Sequence, residues 1–177
     1  MDQVKNVDTA SLSERLLNWC YLFVAGSVAG WCLEIAFRSF NNGALTIPGF
    51  LFGPYCPIYG FGMILIVALC KHRNKWIAYL KIFVYSSVLE YIVSFLFEAL
   101  FHELLWDYSM LPLSIGTRVS LAFSLVWGLL GMVVLLWVEP FLRRVRERHP
   151  RVAQMVAIGG AGLILLDTVL SVAVRLL

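Results

Sequence analysis

Carboxylates stand where this sequence is otherwise apolar. Glu34 and Arg38 lie four apart in one apolar run, with Ser27 earlier in the same run. Glu90, Ser94, Glu98 and His102 follow one another at intervals of four in a second run, and Asp167 and Ser171 repeat that spacing in the last. Side chains four apart share a helix face, so each run presents a polar stripe on a greasy rod. An ionisable group at membrane depth costs ~2.5–3.5 kcal/mol on insertion scales, and each therefore needs a reason. Glu34, Glu90, Glu98, Asp107 and Asp167 outnumber Arg38 and Arg118, a balance that favours a cationic solute or protons. The same residues admit lipid chemistry: Glu98 or Asp107 as base, His102 as acid–base relay, Arg118 or Arg38 holding a phosphate. Bland readings stand beside these. Glu34–Arg38 is also an ordinary helix-end ion pair, Glu98 and His102 a packing network, and Asp167 a partner for Arg118 or Arg38.

No recognised catalytic motif accompanies the stripes. H-E-x-x-H, G-x-S-x-G and the P-loop G-x-x-x-x-G-K-[ST] are all missing from the sequence, so this polypeptide does not hydrolyse ATP through a P-loop. Cys20, Cys32, Cys56 and Cys70 lie singly in or beside apolar runs without metal-ligand spacing, which reads as buried inert thiols. No catalytic set, metal site or cofactor is assigned, and nothing points to nucleic acid.

Composition supplies the solvent for these side chains. The chain has 177 residues, 60% of them hydrophobic and 14% charged. Ordinary soluble folds run at ~25% charged residues. An all-α, polytopic membrane bundle of about five transmembrane helices follows, because lipid offers exposed peptide groups no partner. The expected spans lie near Leu16–Phe37, Pro54–Leu69, Trp76–Leu100, Val119–Val138 and Val152–Val174. One integral membrane domain over 1–177 is expected, opening with a short cytoplasmic segment, 1–15, in which SLSE (Ser11 to Glu14) matches a capping box. The base-rich stretches KHRNK (Lys71 to Lys75) and RRVRERHPR (Arg143 to Arg151) should face the cytoplasm. That puts the N-terminus inside and the C-terminus outside a cell membrane. Trp19, Trp76 and Trp137 then fall at inner ends, and Tyr55, Trp106 and Tyr108 at outer ends, where amphipathic rings favour the interface. Gly26 and Gly30 form a G-x-x-x-G that lets another backbone approach, from the same subunit or from a second copy.

With that orientation, Glu34, Glu98, His102 and Asp167 all come out in the outer half of the bilayer. GPYCPIYGFG (Gly53 to Gly62) opens the second span at the same level. Its prolines and glycines disturb a helix where one should begin smoothly, and such backbone is tolerated at depth only against protein or a wet cavity. A re-entrant segment before the second helix is expected, with Gly53, Pro54, Pro57 and Gly60 as the lip of a polar pocket and Pro54 as the first-turn proline. Trp31 and Tyr59 are candidate pocket contacts, with core packing as their alternative.

These residues resemble a known family. GW-x-x-E (Gly30, Trp31, Glu34), GFL-x-GPYCPIYGFG (Gly49 to Gly62), LEY (Leu89 to Tyr91), Glu98 and WDYS (Trp106 to Ser109) are similar to the CmpB family of small bacterial membrane proteins, labelled type IV ABC-transporter permeases. The likeness spans roughly the first four helices. It departs at IPGFL (Ile47 to Leu51), where the family has N-R-G-F-L, and at SIGTR (Ser114 to Arg118). The resemblance implies a transport subunit powered by a separate ATP-binding subunit docked on the basic loops, or a homo-oligomer. A non-catalytic scaffold or sensor, and an enzyme acting on lipid headgroups or prenyl phosphates, remain alternatives.

Overall fold

Long apolar runs with few charges become long helices. A computed structural model describes residues 12–176, which form α1 (Leu12–Asn42), α2 (Pro57–Cys70), α3 (Lys75–Phe101), α4 (Leu121–Arg148) and α5 (Pro150–Leu176). Four of these, α1, α3, α4 and α5, are long and apolar enough to cross a membrane. The capping-box serine, Ser11, lies outside the described residues. α4 runs further than its apolar stretch, because the basic segment EPFLRRVRER (Glu139 to Arg148) continues the helix. One turn each of α2, α4 and α5 is widened to π geometry, at Ile66–Cys70, Val134–Val138 and Val156–Gly160.

The burial pattern is that of a protein in lipid. Among the described residues, most of the side chains with almost no exposure are serines: Ser27, Ser94, Ser120, Ser124 and Ser171. Leu33, Phe37, Val84, Leu96, Leu129 and Leu166 point outward, where hydrocarbon is as good a neighbour as another leucine. Helix contacts instead use small residues. α2 packs antiparallel on α1, and a Cβ on Gly60 would run into Ser27 Oγ and the Phe23 carbonyl oxygen. Gly30 leaves the space that the Tyr59 ring fills, and Gly26 faces Met63 and the Tyr59 carbonyl. The G-x-x-x-G face therefore packs within the chain. α3 meets α4 across Gly128, where a Cβ would sit 2.6 Å from the Tyr79 ring, and across Gly131 against Ile82. α5 lies on α1 through Ala157 and Gly160, with Tyr21, Ala153 and Ala157 as a small apolar core.

Two irregular segments cover one end of the bundle, called here the loop end; Lys71–Asn74 and the α4–α5 turn mark the basic end. The stretch 43–56 is the more constrained. The Cys56 N–H donates to the carbonyl of Ser27 at 2.9 Å. Ser27 is the midpoint of α1, about 22 Å back from Asn42 at ~1.5 Å per residue. The chain therefore leaves the top of α1, returns alongside it to mid-height and only there begins α2. This re-entry makes up for a second helix that spans only about 21 Å. Pro57, not Pro54, takes the first-turn position of α2; Pro54 lies in the bend before it. The reason is the Ser27 bond, which fixes residue 56 outside the helix and leaves its own N–H satisfied. The second segment, 102–120, leaves α3 through His102 in the left-handed conformation (φ 55) and closes with a short hairpin, β1 (Ser114–Ile115) paired to β2 (Val119–Ser120).

A methyl group at Gly60 has nowhere to go, whereas one at Gly159 meets nothing within 4 Å. Gly60→Ala should destabilise the detergent-solubilised protein by ~1–3 kcal/mol in denaturant unfolding, and Gly159→Ala by less than about 0.5 kcal/mol. Equal stability of the two variants would contradict the described α1–α2 contact.

Candidate functional site

The first polar node holds the re-entrant turn. Asp167 of α5 is buried and accepts the Gly53 N–H at 2.8 Å, the Phe52 N–H at 3.2 Å, the Tyr55 hydroxyl at 2.8 Å and the Ser171 hydroxyl at 2.9 Å. A carboxylate has room for about four such donors, so its capacity is filled. Gly53 is required here: a Cβ would overlap the ring of Tyr55, which folds back to reach Asp167. Arg118 and Arg38, the alternative partners for Asp167 as a packing residue, are engaged elsewhere. Arg175 adds a second tie, donating to the Gly49 carbonyl at 2.9 Å and lying 4.8 Å over the Phe50 ring.

The second node links four helices. Glu34 of α1 accepts from Arg38 Nε at 2.7 Å through Oε1 and from the Tyr59 hydroxyl of α2 through Oε2. The Tyr59 ring meets Trp127 of α4 edge to face, with centroids 5.7 Å apart. Trp127 Nε1 donates to Oε1 of Glu90 on α3 at 3.2 Å. The same oxygen accepts the Tyr108 hydroxyl from the 102–120 segment at 3.0 Å. Tyr108 stacks on Phe123 at 4.6 Å, and its backbone N–H is tied to Thr117. Burial first, and then the nearby Glu90 carboxyl, push the Tyr108 phenol up, so it stays protonated and remains a donor. Glu90 is 4% exposed, yet its Oε2 has no partner among the described residues, and neither does the Oγ of Ser94 one turn on.

The remaining candidates lie around these nodes. Glu98 pairs with Arg118, whose guanidinium sits 5.5 Å over Phe95 and 5.7 Å over Tyr91. His102 is exposed and caps α3 through its backbone N–H to the Glu98 carbonyl. Asp107 is exposed and accepts the Ser109 N–H at 2.8 Å, a bond that holds its carboxyl below the usual carboxylate range. Trp31 is half-buried on α1. Glu34, Tyr59 and Glu90 are thus brought together; Glu98 and Arg118 form a separate pair, and Asp107 and His102 face away. Trp127, Tyr108 and Arg175 were not among the expected site residues. Only a tryptophan inside an apolar helix, whose indole N–H needs an acceptor when buried, signalled the first.

Two hollows stand out on the described surface, and both lie away from the nodes. One, of about 450 Å³, is an apolar groove lined by Tyr21, Val24, Ala25, Val145 and Ala153 among others; the second follows Arg148–Val152 at the basic end.

A family model described as "Putative ABC-transporter type IV" (ABC_trans_CmpB) matches residues 21–172. The chain belongs to this family. The match reaches past Asp167 in α5, so CmpB membership covers the Asp167 node as well as the four helices on which the sequence likeness rests. Searches among curated proteins and solved structures return no match. Membership and four membrane-length helices make this a multi-pass membrane protein of transporter type.

Replacing Asp167 leaves two backbone N–H groups and two hydroxyls at depth without their acceptor. Asp167→Ala should cost at least ~2 kcal/mol in stability and raise hydrogen exchange of residues 52–56 at least tenfold. Unchanged exchange there would show that Asp167 does not hold the turn.

Proposed function

We propose that this CmpB protein is the membrane subunit of a transport assembly, and that the Glu34–Tyr59–Trp127–Glu90–Tyr108 cluster handles its solute or coupling ion. The observation that carries the reading is convergence. Side chains from four helices and one surface segment meet on two buried or half-buried carboxylates, beside a backbone turn that re-enters the bundle. Ionisable groups at such depth mark solute and ion pathways more often than they mark packing. With the basic loops facing the cytoplasm, the N-terminus lies inside, the C-terminus outside and the cluster in the outer half of the bilayer. The excess of carboxylates favours a cationic solute or protons. Energy comes from a separate ATP-binding subunit docked on Lys71–Lys75 or on Arg143–Arg151, and the pathway is completed by that partner or by a second copy of the chain.

A second reading is favoured by the internal pairing of most cluster groups and by hollows that lie elsewhere. In it the protein organises partners and moves nothing.

One experiment separates the two. The protein is purified from native membranes with its associated proteins, and ATP hydrolysis is measured for wild type and for Glu34→Gln with Tyr59→Phe. Co-purifying hydrolysis that falls at least tenfold in the variant, at unchanged yield and melting temperature, is the transport outcome. No associated hydrolysis, or hydrolysis indifferent to both substitutions, overturns it in favour of the scaffold.

A further inference from the structure

Glu90 poses a specific problem. Its Oε1 already accepts from Tyr108 and Trp127, while its Oε2 is buried with no partner among the described residues. A bare carboxylate there would keep one oxygen desolvated and uncompensated, since no cation pairs with it among the described residues. Ser94, four residues on and therefore on the same face of α3, is 1% exposed and offers an equally unused oxygen. Two oxygens are too few for a sodium, calcium or magnesium ion, which take about six or more. A proton needs only one.

We propose that Glu90 holds an exchangeable proton on Oε2, and that Glu90 and Ser94 together form a buried proton site between α3, α4 and the 102–120 segment. In the loaded state the Oε2–H donates to Ser94 Oγ once the serine turns toward it, while Oε1 keeps its two donors. On release the proton passes to water, the carboxylate remains, and the tyrosine and indole N–H bonds stabilise its charge. The titratable and charged groups around this position are Tyr108 from the surface segment, which bonds it, and beyond it Glu34 and Arg38 from α1 and Tyr59 from α2; α4 contributes the non-titrating Trp127, and on α3 itself Glu98 is taken up by Arg118. Half-buried Glu34, whose charge acts on Tyr108, is the exchange partner on the more exposed side. The proposal deepens the transport reading by naming the proton as the ion handled, and rests on it for purpose but not for detection.

Infrared difference spectroscopy on the whole protein in lipid tests it without any transport assay. A protonated-carboxyl band present at neutral pH should shift in heavy water, disappear in Glu90→Gln and titrate away as pH is raised. Ser94→Ala, which removes the acceptor of the neutral form, should lower the proton affinity roughly fivefold. Should Glu90→Gln fail to fold, Trp127→Phe serves instead: loss of one donor to Oε1 must move the same band. Absence of any band that responds to these substitutions, or a band that stays fixed at every pH the fold survives, overturns the proposal. Proton entry into liposomes carrying the protein together with its co-purified partners, read by an internal pH dye with and without ATP, tests the transport reading separately. A titrating band without flux would leave the proton site standing and remove the transport role.

Discussion

A peptide N–H inside a membrane bundle must find an acceptor within the protein, and irregular backbone from 43 to 56 multiplies that demand. Asp167 meets it at the bend before α2 by taking two consecutive backbone N–H groups and the tyrosine that folds over them. Ser27 of α1 takes the next N–H through its carbonyl, which the i+4 pattern would ordinarily reserve for its own helix. These two contacts come from the helices on which the segment lies, α1 and α5. They fix where α2 begins, and every contact of α2 inherits that height.

From that height the rest follows. Starting α2 at the middle of α1 puts Tyr59 opposite Gly30 and within reach of Glu34, and its ring against Trp127. Trp127 is thereby aimed at Glu90, and the surface segment lowers Tyr108 onto the same carboxyl from the loop end. The Glu98–Arg118 pair and the Arg175 contacts act as staples above, holding the two irregular segments to α3 and α5. Glycines and serines fill the interior because lipid supplies no hydrophobic drive between helices, so close approach and hydrogen bonding must do so. The same logic explains why large aliphatic side chains crowd the outside.

Much of this was legible in the residues themselves. Apolar runs announced the helices, and the clash of two prolines with a helix start announced the re-entrant turn. What periodicity conveys is which face a residue occupies, and that put Glu90 with Ser94 and Asp167 with Ser171. It does not say what lies opposite. Asp167, a candidate pocket residue with pairing to an arginine as its plain alternative, meets backbone, because a turn that exposes N–H groups attracts a carboxylate as effectively as a cation does. Pro54 and Pro57 are equivalent as helix starters in sequence; only the bond from residue 56 to Ser27, distant in the chain, decides between them. Tyr108 looked like an interface ring, since a phenol shows its function only once its acceptor is known. Glu98 shares the spacing of the cluster but is taken up by Arg118, and His102 and Asp107 are exposed, beginning with the left-handed residue at 102 that ends α3.

The central claim is that the turn before α2 sits at the middle of the bundle rather than at its rim. A spin label placed at Pro54→Cys, read by its collision rates with oxygen and with a water-soluble relaxant in lipid bilayers, measures that depth directly. Labels at positions 28 and 42 of α1 provide the scale. The account predicts that the label at 54 reports a depth within a few ångströms of position 28, about 20 Å from that of position 42. A depth equal to that of position 42, at the headgroups, would contradict it.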